Sequence, residues 1–176
     1  MDLDTGAFVK AELLGMKKDM GSDINITLFD FEGPLDYKSN SGFVHLSDEQ
    51  QTLHPKFRLL SVVKESASDK TPSMVYSFTG ESSNFIHARK VVLHEGRYDV
   101  SVSDTILKKD NTITEKVYPY AVILRNDAPV ESGFMTYAYL GPVFSLDSDK
   151  YMKLSFEDLN EGPFQEKSSG GWVALI

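Results

Sequence analysis

From Ile24 onward the chain is written in short runs that alternate apolar and polar residues. In "INITLFDF" Ile24, Ile26 and Leu28 fall on one face with Asp30 in phase, and the run stops at Gly33 and Pro34 of "EGPLD". The same period of two returns in "GFVHL", "FRLLSVV", "MVYSFT", "NFIHARKVVL", "RYDVSVSDTIL", "VYPYAVIL", "FMTYAYL", "PVFSL", "YMKLSF" and "GWVALI". Gly, Pro, Asn, Asp and Ser separate these runs. About ten short strands at such even spacing predict two packed antiparallel sheets, not βαβ units. Residues 8–14 follow a different pattern. Phe8, Ala11 and Leu14 lie three apart with Val9 and Leu13 beside them, which predicts a short helix weakened and ended by Gly15 and Gly21. The expected organisation is therefore a helical extension over residues 1–22, either a docked or disordered tail or a neck or anchor to a larger assembly, and one β-sandwich domain over residues 23–176.

Composition narrows this picture. A chain of 176 residues supports one domain with a substantial core. It contains no cysteine, so disulfides, thiolate metal sites and a cysteine nucleophile are excluded, and apolar burial with sheet hydrogen bonding has to hold the fold. No stretch reaches the roughly 18 apolar residues of a membrane-spanning helix, and the acidic start "MDLDTGAFVK" is unlike a secretory signal, so neither membrane insertion nor export by a leader is expected. A formal charge of −8, with scattered Lys and Arg, argues against a nucleic-acid partner, which requires a clustered positive field. "KKDNTITEK" reads as a hairpin connection in which Asp110 and Asn111 supply the turn chemistry.

The second half of the chain carries a series of motifs in a suggestive order. Gly96-Arg97-Tyr98 opens a strand that continues as Asp99, Val100, Ser101, Val102. "VILRNDAPV" sets an aliphatic and a basic residue, Leu124 and Arg125, before Asn126. "YLGPVFSLDSDKYMKLSF" is an alternating strand pair, and "GGWVALI" closes the chain. In this order, from about Phe85 to Ile176, the sequence resembles the tumour necrosis factor and complement globular-head superfamily. It departs from that family's pattern at Ser148-Asp149 and at Gly141-Pro142. The resemblance implies a jelly-roll sandwich assembled as a homotrimer. Tyr118, Tyr120, Tyr137 and Tyr139 would line the trimer interface, or alternatively fill the sandwich with their hydroxyls reaching water. Tyr98, Val100 and Val102 would face the core, with Trp172 packing the final strand, while Arg97, Asp99, Ser101 and Ser103 form the opposite face.

Catalytic chemistry finds little support in the sequence. His45, His54, His87 and His94 fall in separate segments without metal-motif spacing, and the odd interval between His87 and His94 puts them on opposite faces of one strand. No Gly-x-Ser-x-Gly elbow or phosphate loop occurs. Asp147 and Asp149 could begin a calcium site but fall short of the six to eight oxygens that calcium takes, so a solvated acidic turn is the simpler reading. The expectation is thus a non-enzymatic protein without metal or cofactor: a trimeric head of viral or bacterial origin that binds a cell-surface receptor or glycan, on a virion or outside the cell. The alternatives are a signalling ligand of the tumour necrosis factor type and a purely structural virion component.

Overall fold

The computed structural model describes residues 1–31, 37–45, 51–53, 55–66, 71–112, 116–124, 139, 141–147 and 151–175, and among these the protein is all-β apart from one short helix. The chain divides into two units, Met1–Asp127 and Ala128–Ile176.

In the first unit β1 (Lys10–Lys17) and β2 (Asn25–Asp30) form a two-stranded antiparallel ribbon. β3 (Lys38–His45) lies between β4 (Gln51–Thr52) and β9 (Val117–Leu124). β5 (Lys56–Ser66), β6 (Pro72–Glu81), β7 (Phe85–His94) and β8 (Val100–Lys108) make a four-stranded antiparallel sheet in chain order. Two isolated bridges, Phe8 to Ser39 and Asp30 to Tyr37, tie the base of the ribbon to β3. Cross-strand register fixes the inner face of the four-stranded sheet: Phe57, Gly80 and His87 stand in one row, then Phe78, Arg89 and Asp104, then Tyr76, Val91 and Val102, then Met74, Leu93 and Val100. Phe57, Phe78 and Val91 form the core cluster, with Met1, Phe8 and Tyr76 packed against it.

The expected helix over residues 8–14 is a strand. Its apolar spacing is satisfied equally by a period of two, because Ala11 and Leu13 are half-buried while Lys10 and Glu12 are exposed. Pairing with "NITLFD" then supplies the backbone hydrogen bonds that a helix of two or three turns would have had to find alone. The expected boundary at residue 22 therefore falls inside a hairpin, and residues 1–22 are built into the first unit. Toward its tip the ribbon exposes Leu14, Met16, Met20 and Ile24, and Leu28 is exposed in the body of β2.

In the second unit β10 (Pro142–Leu146) is flanked by β11 (Met152–Lys153) and β12 (Gly171–Leu175). "YMKLSF" gives way after Lys153 to α1 (Phe156–Glu161), whose start is set by a capping box. Ser155 Oγ accepts from Asp158 N, and the Asp158 carboxylate accepts in return from Ser155 N. Val143 and Phe144 are the buried centre of this unit, with Phe144 against Phe164 at 5.0 Å.

Candidate functional site

The site begins at a buried guanidinium. Arg89 lies on the inner face of β7, fully removed from solvent, with its Nε on Asp104 Oδ1 at 2.7 Å and Nη2 on Asp104 Oδ2 at 3.0 Å. Nη1 donates to the Gly6 carbonyl at 2.6 Å, and Nη2 also reaches the Ser41 carbonyl and Oγ on β3. His87, two residues earlier and so on the same face, donates through Nε2 to Asp104 Oδ1 at 2.8 Å, while Phe43 and Phe57 pack edge-on against its ring. Burial works against ionisation of Asp104, but hydrogen bonds from His87 and Arg89 and the charge of Arg89 outweigh it, holding the carboxyl well below the usual carboxylate range. These contacts bring β3 side chains onto those of β7 and β8, so the sheet containing β3 and β9 lies against this part of the four-stranded sheet.

The cluster also fixes the N-terminal segment. Residues 2–7 close a tight loop in which Asp2 N donates to the Ala7 carbonyl and Gly6 N to the Asp2 carbonyl. The Asp2 carboxylate accepts from Asp4 N and Thr5 Oγ1. Gly6 has φ +74, and a β-carbon there would stand 2.7 Å from Arg89 Nη1 and 2.8 Å from the Phe57 ring, so the position admits only glycine. Phe57 N donates to the Leu3 carbonyl at 2.7 Å, which lays the segment across the sheet and sets Met1 and Phe8 on the core cluster.

Beyond this anchored end the inner face is open. Between it and the β1–β2 ribbon runs a groove of about 690 Å³. Its floor is Tyr76, Phe78, Val91, Leu93 and Val100, and its opposite wall is Ala11, Leu13 and Leu28, closed at one end by Met1 and Phe8. Charged residues keep to the mouth as pairs, with Arg97 on Asp99 at 2.7 Å and Lys10 on Glu12 at 3.3 Å. An apolar floor with a charge-paired rim suits an apolar ligand without strict polar demands.

This groove corrects the expected core. Tyr98, Val100 and Val102 are 63%, 47% and 37% exposed. The strand parity holds, since Val100 and Val102 share a face with Val91 and Leu93, but at this end the face is left uncovered. Trp172, expected to pack the final strand, is 48% exposed. Among the four tyrosines, Tyr118 is exposed and Tyr137 lies outside the described residues. Tyr120 is half-buried and accepts from Asn40 Nδ2 at 3.3 Å; burial pushes its hydroxyl up, against the opposing charge of Arg89. Tyr139 donates to the Pro142 carbonyl at 2.9 Å and to the Leu154 carbonyl. Tyr118 and Tyr120 belong to the first unit and Tyr139 to the second. Asp147 is occupied as a turn ligand, accepting from Ser169 N at 3.1 Å and from Ser169 Oγ, whose hydrogen bond lowers its carboxyl; Asp149 lies outside the described residues. Among the described residues no group of His, Asp and Glu has the geometry of a metal site.

The Arg89 cluster was missed in the sequence, although a signal for it is present. His87 and Arg89 are in phase with Phe85 and Val91, and a cation on the apolar phase of a strand is the exception that needs a buried partner. Asp104, in phase with Val100 and Val102, was that partner.

The family model described as the YidC periplasmic domain matches residues 1–176. Proteins named membrane protein insertase YidC are similar along nearly the whole chain. That of Psychromonas ingrahamii is 27% identical over 97% of this chain, that of Aromatoleum aromaticum 27% over 97%, and that of Burkholderia cenocepacia 26% over 99%. This chain spans only 30–32% of the length of these relatives. The match overturns the resemblance to the tumour necrosis factor and complement heads, which covered only the second half and rested on short motifs shared by many antiparallel strand pairs. With it fall the trimeric head, the receptor or glycan partner, the viral or signalling origin and the place on a virion or outside the cell. The expectation of a protein unconnected with membrane insertion falls too, since the relatives are named for that process. Matched from its first residue to its last, the chain belongs to the YidC periplasmic domain family.

Proposed function

We propose that this domain serves a membrane protein insertase as a binding domain, without a catalytic step of its own, and that it holds extended apolar stretches of other polypeptides in the groove beside β1. The observation that carries the reading is the groove, with its apolar floor on β6, β7 and β8 and its charges paired at the mouth. The relatives are named membrane protein insertases. Segments destined for a bilayer are apolar, and in water they gain from any surface that removes them from it. A groove of this kind offers that shelter with little demand on sequence, and the partly exposed Leu93 and Val100 contribute apolar area that would otherwise face solvent.

The test is binding of a fluorescent peptide with an apolar membrane-span sequence and lysine flanks, followed by anisotropy. Val100→Asp and Leu13→Asp place a carboxylate on the floor and the wall. Each is expected to weaken binding by roughly tenfold or more, because an unpaired charge in an apolar site costs several kcal/mol. Both positions are partly exposed, so circular dichroism should remain that of the native domain. Unchanged affinity in both folded variants would remove the groove as the binding site.

A further inference from the structure

The second unit exposes an aromatic pair that the groove does not use. On one face of its sheet the small Ser145 pairs directly with Trp172, and Tyr151 stands immediately before Met152 and Lys153 on the other flank. The rings of Tyr151 and Trp172 meet at 6.3 Å between centroids and are 56% and 48% exposed. Lys153 Nζ lies beside them, 5.6 Å from the Tyr151 ring and 4.8 Å from that of Tyr139. Tyr151 has φ +58, a left-handed conformation that costs a bulky residue about 1 kcal/mol or more. On the opposite face of β12, Val173 is 68% exposed.

These features select one kind of occupant. Among the described residues β12 pairs only with β10, so it is an edge strand that shows a large apolar side chain on each of its faces. A fluid layer surrounds both faces of such an edge at once. Trp and Tyr, with apolar rings and polar tips, are the side chains favoured at the boundary between hydrocarbon and water, and a neighbouring ammonium matches the lipid phosphate. The backbone groups along the outer edge of β12 still require water, which limits immersion to the headgroup region. We propose that the β12 edge of this unit is a lipid contact, with Trp172 and the Tyr151 ring that reaches it from the far side of β10 lying among the headgroups of a bilayer and Lys153 on a phosphate. The contact is independent of what the groove holds.

Trp172 is the sole tryptophan, so its fluorescence reports on this site alone. The 176-residue chain is titrated with vesicles of phosphatidylethanolamine and phosphatidylglycerol, and separately with vesicles of phosphatidylcholine. Expected are a blue shift of the Trp172 emission, protection from iodide, and quenching by lipids brominated near the headgroup. Tyr151→Gly relieves the left-handed backbone and removes one ring, so it keeps the fold while weakening binding. Lys153→Glu should weaken binding to the phosphatidylglycerol vesicles by roughly tenfold and to phosphatidylcholine far less. Val100→Asp, which disables the groove, should leave the Trp172 response unchanged. If emission is insensitive to both vesicles, or the protein binds vesicles while Trp172 stays open to iodide, the assignment is wrong and the aromatic pair is left to a protein partner.

Discussion

Arg89 uses its planar fork to join three stretches of chain, with Asp104 on one side and the carbonyls of Gly6 and Ser41 on the other. Lysine carries the same charge but cannot reproduce that geometry. Removing either ion is worse than the pair is good. Asp104→Asn leaves a buried guanidinium short of its counter-charge and is expected to cost about 3–5 kcal/mol of unfolding free energy in urea titrations near neutral pH. The pH dependence has a definite sign. The Asp104 carboxyl is depressed in the folded protein, so its contribution is complete above the ordinary carboxyl value of 3.8 and is lost as pH falls below it. The native protein should therefore lose stability steeply below about pH 4, while Asp104→Asn, already weakened, should show a flatter acid limb. Equal slopes for the two proteins would mean that Asp104 is not the group responsible.

The β-strand is the scale at which this chain reads most clearly. β9 and β10 occupy the very runs "VYPYAVIL" and "PVFSL", and β5 to β8 fall within a few residues of their apolar alternations. Asp110 Oδ1 accepts from Thr112 N at 2.9 Å, the turn chemistry expected of "KKDNTITEK". What alternation could not supply is the covering of each face. Val100 and Val102 have core parity, yet their exposure depends on how far β3 and the N-terminal segment extend over the sheet. The identity of β1 depended in the same way on its partner β2. α1 was legible in principle from the spacing of Ser155 and Asp158, but the apolar alternation before it masked the signal. One glycine tests the strand pairing of the second unit. Gly171 has φ +133, and a β-carbon there would stand 2.2 Å from the Ser145 carbonyl oxygen. Gly171→Ala is expected to part β12 from β10 at that end, so backbone amides of residues 171–173 should exchange with deuterium faster than in the native protein. Unchanged protection there would show that the backbone accommodates the methyl group.

Across the whole molecule, the partners held by Arg89 lie far apart in sequence. Gly6 is 83 positions away and Ser41 is 48, against 15 for Asp104. Closing loops of that length comes late relative to the neighbouring hairpins β5–β6 and β7–β8, whose contacts are local. The cluster should thus be largely unformed at the folding barrier. Arg89→Lys should speed unfolding while leaving the folding rate nearly unchanged, a difference that stopped-flow mixing across a urea series resolves. A matching slowdown in folding would place the cluster in the nucleus instead. Synthesis runs from the N-terminus, so Gly6, Ser41 and the ribbon residues Ala11 and Leu13 are made well before their anchor. Until Asp104 has followed Arg89 off the ribosome, the wall of the groove waits without its floor, a nascent chain in need of shelter itself.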